Sequence, residues 1–144
     1  MRIASVTRKL RRFGELSLGD KWLLMRAAAW LGIARLRLVV TPFQKLAGDL
    51  PEEQKASAPD PDLLERIGFA VGAAAANVPW RSDCFPQTIA ARSLLKAYGL
   101  GSTVHLGVER VGDDDLSGHA WLTCGDTVVT GGADLDRYTE VHRL

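Results

Sequence analysis

Apolar residues recur at spacings of three and four between residues 18 and 40: Leu23, Ala27, Trp30, Leu31, Ala34 and Leu38 share one stripe, and Arg26, Arg35 and Arg37 fall largely outside it. That period predicts an amphipathic helix from about Leu18 to Val40. Ser17 stands where an N-cap belongs, with Asp20 in the first turn, and such side chains satisfy backbone donors left open at a helix start. Gly32 is a point where the run can bend. Val39-Val40-Thr41 is β-branched and suits extended backbone, and Pro42 biases Thr41 out of the helix. Phe43-Gln44-Lys45-Leu46 has the length of one more turn. The plain reading of the stripe is core packing. Trp22, Leu24, Met25 and Leu36 are apolar residues beyond the number that one stripe uses.

The stretch from Gly48 to Pro61 holds three of the six prolines and reads as a linker. Asp60 and Pro61 then form an N-cap and first position, and Leu63, Leu64, Ile67, Val71, Ala74 and Ala75 form one helical face. Ala73 to Ala76 are small and permit close approach, and Val78-Pro79 ends the helix. After a short loop, Asp83 is placed to cap a third helix whose first residue is Cys84. Pro86 is tolerated there, since the first turn lacks acceptors for its N–H groups. Ile89, Ala90, Leu94, Leu95 and Tyr98 continue that face, and Gly99 is placed as its C-cap glycine. From Thr103 the period changes to two: Thr103, His105, Gly107 and Glu109 alternate with Val104, Leu106, Val108 and Arg110, as in a strand. Val111 to Leu116 reads as a turn, His119 to Thr123 as a second strand and Cys124 to Thr127 as a tight hairpin. Thr127 to Thr130 reads as a third strand and Arg137 to His142 as a short last one. Helices followed by consecutive antiparallel strands predict an α+β fold.

Composition narrows the class. A chain of 144 residues with 47% hydrophobic and 24% charged residues suits one folded domain with a small appendage. Its net charge of +1 carries no general nucleic-acid or membrane signal, although Arg2, Arg8, Lys9, Arg11 and Arg12 make the N-terminus basic and residues 113–115 are all Asp. These Arg and Lys residues suit either a solvated terminal helix or a surface for an acidic partner. No run approaches ~20 apolar residues, and Met1-Arg2-Ile3-Ala4 lacks the apolar core of a signal peptide. With two cysteines only, a disulfide scaffold is excluded. The expected location is a reducing cytoplasm, where both thiols stay free.

Two stretches carry chemistry: Arg81-Ser82-Asp83-Cys84-Phe85-Pro86-Gln87 and Gly118-His119-Ala120-Trp121. A thiol at a helix start gains from the partial positive charge there, which favours thiolate. A histidine on a strand can serve as its base, and the backbone N–H of Cys84 can be one oxyanion donor. A cysteine beside Ile and Leu on a helix is also a common core residue. Zinc held by Cys84, His105, His119 and Cys124 is the rival reading, but paired ligand spacings typical of structural zinc are missing. No metal and no cofactor is therefore expected. Cys124 reads as a bystander at a hairpin, His105 and His142 read as surface residues, and Gly131-Gly132 is too short for a phosphate loop.

Taken in order, these blocks resemble a known family. The helix-start cysteine, the helix ending in glycine, the Leu-Gly-Val-Glu-Arg strand and Gly-His-Ala-Trp-Leu look like the transglutaminase-like cysteine protease domain of lasso-peptide B proteins. The Leu-x-Leu-Gly-Asp-Lys-Trp-Leu-Leu-Met run and the later Arg-Leu-Arg-Leu resemble the start of those proteins, and the likeness covers most of residues 16–132. It implies a stand-alone leader peptidase on a transglutaminase/papain-like core, with Cys84 as nucleophile and His119 as base. In many relatives an Asp follows the His by twelve positions, a place held here by Gly131. The favoured orienting group is then Asp134, with Asp126 or a backbone carbonyl as alternatives. The resemblance also implies partners: a precursor leader peptide, a separate leader-recognition protein and an ATP-dependent lasso cyclase that acts afterwards.

The expected organisation is a partner-docking helical region over 1–50, a linker over 51–61 and a catalytic core over 62–144. Two rivals share the fold: an acyl or amide transferase, and a non-catalytic peptide-binding module that the glycine at position 131 would favour.

Overall fold

The computed structural model describes residues 9, 11–42, 45 and 59–144. Its main elements are α1 (Leu18–Val40), α2 (Pro61–Ala75), α3 (Cys84–Ala97), β1 (Thr103–Val111), β2 (Asp115–Cys124), β3 (Thr127–Thr130) and β4 (Thr139–Arg143). A 3-10 turn at Leu135–Arg137 precedes β4, and residues 11–15 are helical ahead of α1. The strands form one antiparallel sheet in the order β3-β2-β1-β4. The fold is α+β, with helices leading and the sheet following, as the periodicities predict.

Local chemistry sets the helix ends. Ser17 Oγ accepts the Asp20 N–H at 3.1 Å and donates to the Asp20 carboxylate at 2.6 Å. The same carboxylate receives Arg66 of α2 at 2.7 Å, which ties the two helices together. The Ser17 hydrogen bond, and after it the one from Arg66, holds the Asp20 carboxyl below its ordinary value. Val39 and Val40 remain helical although β-branched, and the chain becomes extended at Thr41 (φ −129, ψ 130), where Pro42 acts on its predecessor. Asp60 accepts the Asp62 N–H at 3.0 Å. α3 ends in a Schellman motif: Leu100 N–H reaches the Leu95 carbonyl at 3.0 Å and Gly99 N–H reaches Lys96 at 3.0 Å, with Gly99 at φ 72.

One core joins all layers. Leu23, Ala27 and Leu31 of α1 pack with Leu64, Ile67 and Val71 of α2, Leu94 and Leu95 of α3, and Val104, Leu122 and Cys124 of the sheet. A smaller cluster joins Ala34 of α1, Phe85 and Ile89 of α3 and Ala120 of β2, with Leu38 and Cys84 packed against it. The helix within the expected 1–50 region is therefore built into the same core as the following elements. The expected linker 51–61 lies outside the described residues over 51–58, as do Arg2, Arg8 and all but Lys45 of the expected turn at 43–46. Arg11 pairs with Glu15 at 3.2 Å, both exposed.

Pairing in the sheet extends further than the apolar pattern. β1 and β2 stay in register out to Val111↔Asp115, so the first turn is only Gly112 to Asp114, because backbone pairing continues where side chains are solvated on both faces. The second turn is Gly125-Asp126. At one sheet edge α2 comes close to β3: a Cβ on Gly68 would sit 2.5 Å from the Val129 carbonyl oxygen. The other edge, β4, is exposed at all five positions.

The two sides of α1 predict opposite responses. Leu31 is 0% exposed and Leu36 is 64% exposed. Leu31→Ala should lose about 2–5 kcal/mol of unfolding free energy in urea titrations, and Leu36→Ala should stay within about 0.5 kcal/mol of wild type.

Candidate active site

Cys84 opens α3, as the sequence predicts. Asp83 has extended N-cap backbone (ψ −174) but makes no side-chain capping bond; its carboxylate lies 3.6 Å from Arg81 instead. The first turn is held by other contacts. Thr88 donates its hydroxyl to the Cys84 carbonyl at 2.9 Å, and the Gln87 side-chain amide donates to the Ser82 carbonyl at 2.8 Å. Cys84 is half-buried against the cluster that contains Phe85 and Ala120. As a first-turn residue its N–H lacks an intrahelical acceptor.

His119 follows from strand alternation. Ala120 and Leu122 turn into the helical core, so His119 and Trp121 turn toward the other face of the sheet. There His119 stacks on Tyr138 at 4.7 Å between ring centroids and lies 6.1 Å from Trp121. Gly107 of β1, paired with His119, gives these rings room: a Cβ there would lie 2.8 Å from Trp121 and 3.1 Å from Tyr138. His119 Nε2 meets the carbonyl oxygen of Gly131 at 2.8 Å. A carbonyl only accepts, so Nε2 carries the proton and the neutral ring keeps its lone pair on Nδ1. Among the described residues, Nδ1 has no hydrogen-bond partner.

Cys84 packs against the cluster that contains Ala120 on the helical side of the sheet, whereas His119, one position earlier in β2, turns to the opposite face. No hydrogen bond joins the thiol to the imidazole among the described residues. Asp134 is exposed and holds left-handed backbone (φ 54) at the start of the 3-10 turn. Asp126 is exposed in the β2–β3 turn. Neither hydrogen-bonds His119; the group that does is the Gly131 backbone. Gly131 has φ 74, and a Cβ there would stand 2.5 Å from the Ala120 carbonyl oxygen, so only glycine brings this carbonyl to the ring without strain.

The other sulfur and imidazole groups sit apart. Cys124 is fully buried, donates to the Gly101 carbonyl at 3.1 Å, and burial pushes its thiol pKa up. His105, expected at the surface, is buried at 7% exposure. It stacks on Trp121 at 5.2 Å, contacts Thr123 through Nε2 at 2.8 Å and meets Glu140 through Nδ1 at 3.0 Å. The alternation places it on the aromatic face beside Trp121, and the correction has a simple cause: β4 supplies a carboxylate that the local pattern of β1 cannot reveal. His142 is exposed, as expected. Among the described residues no three His, Cys, Asp or Glu side chains are grouped to hold a metal ion.

Sequence reasoning passed over two hydroxyls. Ser82 Oγ and Thr130 Oγ1 are buried without a hydrogen-bond partner among the described residues, and they precede Cys84 by two positions and Gly131 by one. Buried polar atoms left unpaired cost about 1–3 kcal/mol each and are rare in folded proteins.

The sequence matches the transglutaminase-like superfamily over residues 24–143, and the chain belongs to it. That superfamily includes cysteine proteases and transferases, usually with a Cys-His-Asp centre. No curated protein and no solved structure matches the chain. Among the described residues, no helix is long and apolar enough to cross a membrane.

The contrast between the thiols is measurable. In the native protein iodoacetamide should alkylate Cys84 at least about tenfold faster than Cys124, whose thiol is buried and pushed toward the neutral form. Peptide mapping by mass spectrometry reads both rates, and comparable rates would contradict the burial of Cys124.

Glu140 predicts an acid limb. Its carboxyl is held below the ordinary value by the Arg143 hydrogen bond first and the His105 hydrogen bond after it, against partial burial. A lowered folded pKa stabilises above the unfolded value and loses that effect as pH falls through the folded one. Glu140→Gln should therefore lower unfolding free energy near pH 6, with the gap to wild type closing below about pH 4. Urea unfolding across that range reads the difference; a gap independent of pH would assign Glu140 a role other than its charge.

Proposed function

We propose that the chain is a cysteine endopeptidase that removes the leader from a lasso-peptide precursor, before a separate cyclase closes the ring. Cys84 is the nucleophile and His119 the general base. The observation that carries the reading is the tautomer of His119: Nε2 is occupied by the Gly131 carbonyl at 2.8 Å, which leaves Nδ1 as the basic nitrogen of an imidazole one position along β2 from Ala120, whose cluster Cys84 packs against.

In this reading Nδ1 takes the Cys84 proton as the thiolate attacks the scissile carbonyl, and the imidazolium then protonates the leaving amine. Water completes the cycle by hydrolysing the thioester. The Cys84 N–H is aimed at the oxyanion from the open end of α3. The reading requires Cys84 Sγ and Nδ1 to meet when substrate binds, since catalytic hydrogen bonds are often long in unliganded sites. The Gly131 carbonyl fills the orienting role, with Asp134 remaining at the surface. A carbonyl fixes the tautomer without the full charge that stabilises imidazolium in a Cys-His-Asp centre.

The precursor is delivered by a separate leader-recognition protein, and the lasso cyclase is the next enzyme. All three act in the cytoplasm in this reading. The glycine in place of the orienting acid favours one rival, a peptide-binding module without activity.

Incubating the protein with a precursor and its recognition protein, followed by mass spectrometry, tests both. Wild type should release the leader. Cys84→Ala should abolish release, by several orders of magnitude, and His119→Ala should be nearly as damaging, because members of a catalytic unit fail together. Asp134→Asn should leave release within a few-fold of wild type, as expected of an exposed side chain. Full activity in Cys84→Ala would remove Cys84 from the chemistry, and wild type that binds precursor without cutting it would favour the binding module.

A further inference from the structure

α1 is apolar on two opposite sides. Its inner stripe, Leu23, Ala27, Leu31 and Ala34, is buried. A second stripe, Leu18, Trp22, Met25, Ala29, Ile33, Leu36 and Val40, repeats at spacings of three and four and faces outward. Leu18 is 84% exposed, Trp22 61%, Met25 60% and Leu36 64%. At 3.6 residues per turn the two stripes lie about 180° apart, and the outer one runs about 33 Å along the helix. An apolar strip of that length on a soluble surface marks an interaction site.

The charges beside it say what covers it. Arg26 and Arg37 flank one side of the stripe by helical position, and Lys21 and Arg35 flank the other. After Asp20, which is paired with Arg66, α1 has no acidic residue. A second copy of this helix would set cations against cations, so the charge pattern disfavours self-pairing. Trp and Met with a rim of Arg and little Lys is the composition of a protein interface. The stripe is also continuous with the catalytic neighbourhood. The Trp80 ring lies over Gly32, 3.4 Å from where a Cβ would be, and Trp80 opens the loop that leads to Cys84.

We infer that the outer stripe of α1 docks a partner protein that presents an apolar helix flanked by Asp and Glu, and that this partner sits beside the loop before Cys84. The inference does not depend on which reaction Cys84 performs, and its test reads binding alone.

The probe is a synthetic helical peptide of about 22 residues, matched to the stripe, with Leu on one face and Glu on both flanks. A second peptide carries Lys in place of Glu. Fluorescence anisotropy with the full chain should show the Glu peptide binding at least tenfold more tightly than the Lys peptide, and more weakly at high salt. Trp22→Asp with Met25→Asp should cut that affinity at least tenfold with circular dichroism and Tm unchanged. Arg35→Glu with Arg37→Glu should erase the preference between the peptides while leaving the apolar face intact. Equal affinity for the two peptides, or no binding of either, would overturn the inference. So would a dimer of the free chain in light scattering that Trp22→Asp dissolves. Binding confined to vesicles of phosphatidylcholine and phosphatidylglycerol would overturn it in favour of a membrane surface.

Discussion

The contact between the His119 ring and the Gly131 carbonyl fixes which nitrogen of the imidazole carries the proton. It exists because the chain turns at a positive φ directly after β3 and passes within van der Waals reach of the Ala120 carbonyl. Everything around it serves the same placement. β2 carries His119 outward while its neighbour Ala120 anchors the strand to α3, Gly107 clears space for Trp121, and Tyr138 closes over the imidazole. A side chain at position 131 would push the carbonyl away and free the ring. The orienting group is therefore part of the backbone, and it resists replacement in a way that an acidic side chain does not.

Much of this was legible in the sequence because local rules and the tertiary fold agree. The α1 period, the Ser17 and Asp60 caps, the Gly99 stop and Cys84 as first helical residue all follow from interactions within a few positions. The sequence pattern says less where other interactions decide. Val39 and Val40 stayed helical because the hydrogen-bond ladder outweighs β-branching until Pro42 intervenes. The local pattern makes His105 a surface residue because its burial depends on Glu140 of β4, 35 positions away. Asp134 follows a Gly pair that allows the chain to turn back, and in the structure it stands exposed at the start of the 3-10 turn at Leu135–Arg137. The unpaired hydroxyls of Ser82 and Thr130 had no signal in the pattern at all, since satisfaction of a hydroxyl is a property of the folded environment.

Two forms of charge organisation coexist on the molecule. The Asp20–Arg66 pair and the Glu140–His105–Arg143 group bind elements to each other across short distances. The cations along α1 instead share one sign and surround apolar surface. The first kind ties elements together; in the second, Arg35 and Arg37 have no ion-pair partner among the described residues, and charge of that kind near an apolar strip steers approach and penalises wrong partners.

The sheet has unequal margins, and that asymmetry bears on how the chain behaves at high concentration. α2 lies over β3 so closely that Gly68 is needed there, which screens one row of backbone donors and acceptors. Among the described residues β4 has no such cover, and an uncovered strand is a template for pairing with a neighbouring molecule. Its sequence counters this: Glu140 and Arg143 put charge along the strand, and long apolar runs are missing from Thr139–Arg143. Gatekeeping there is electrostatic, and neutralising Glu140 at low pH would release Arg143 from its partner, so that two such edges would meet with like positive charge.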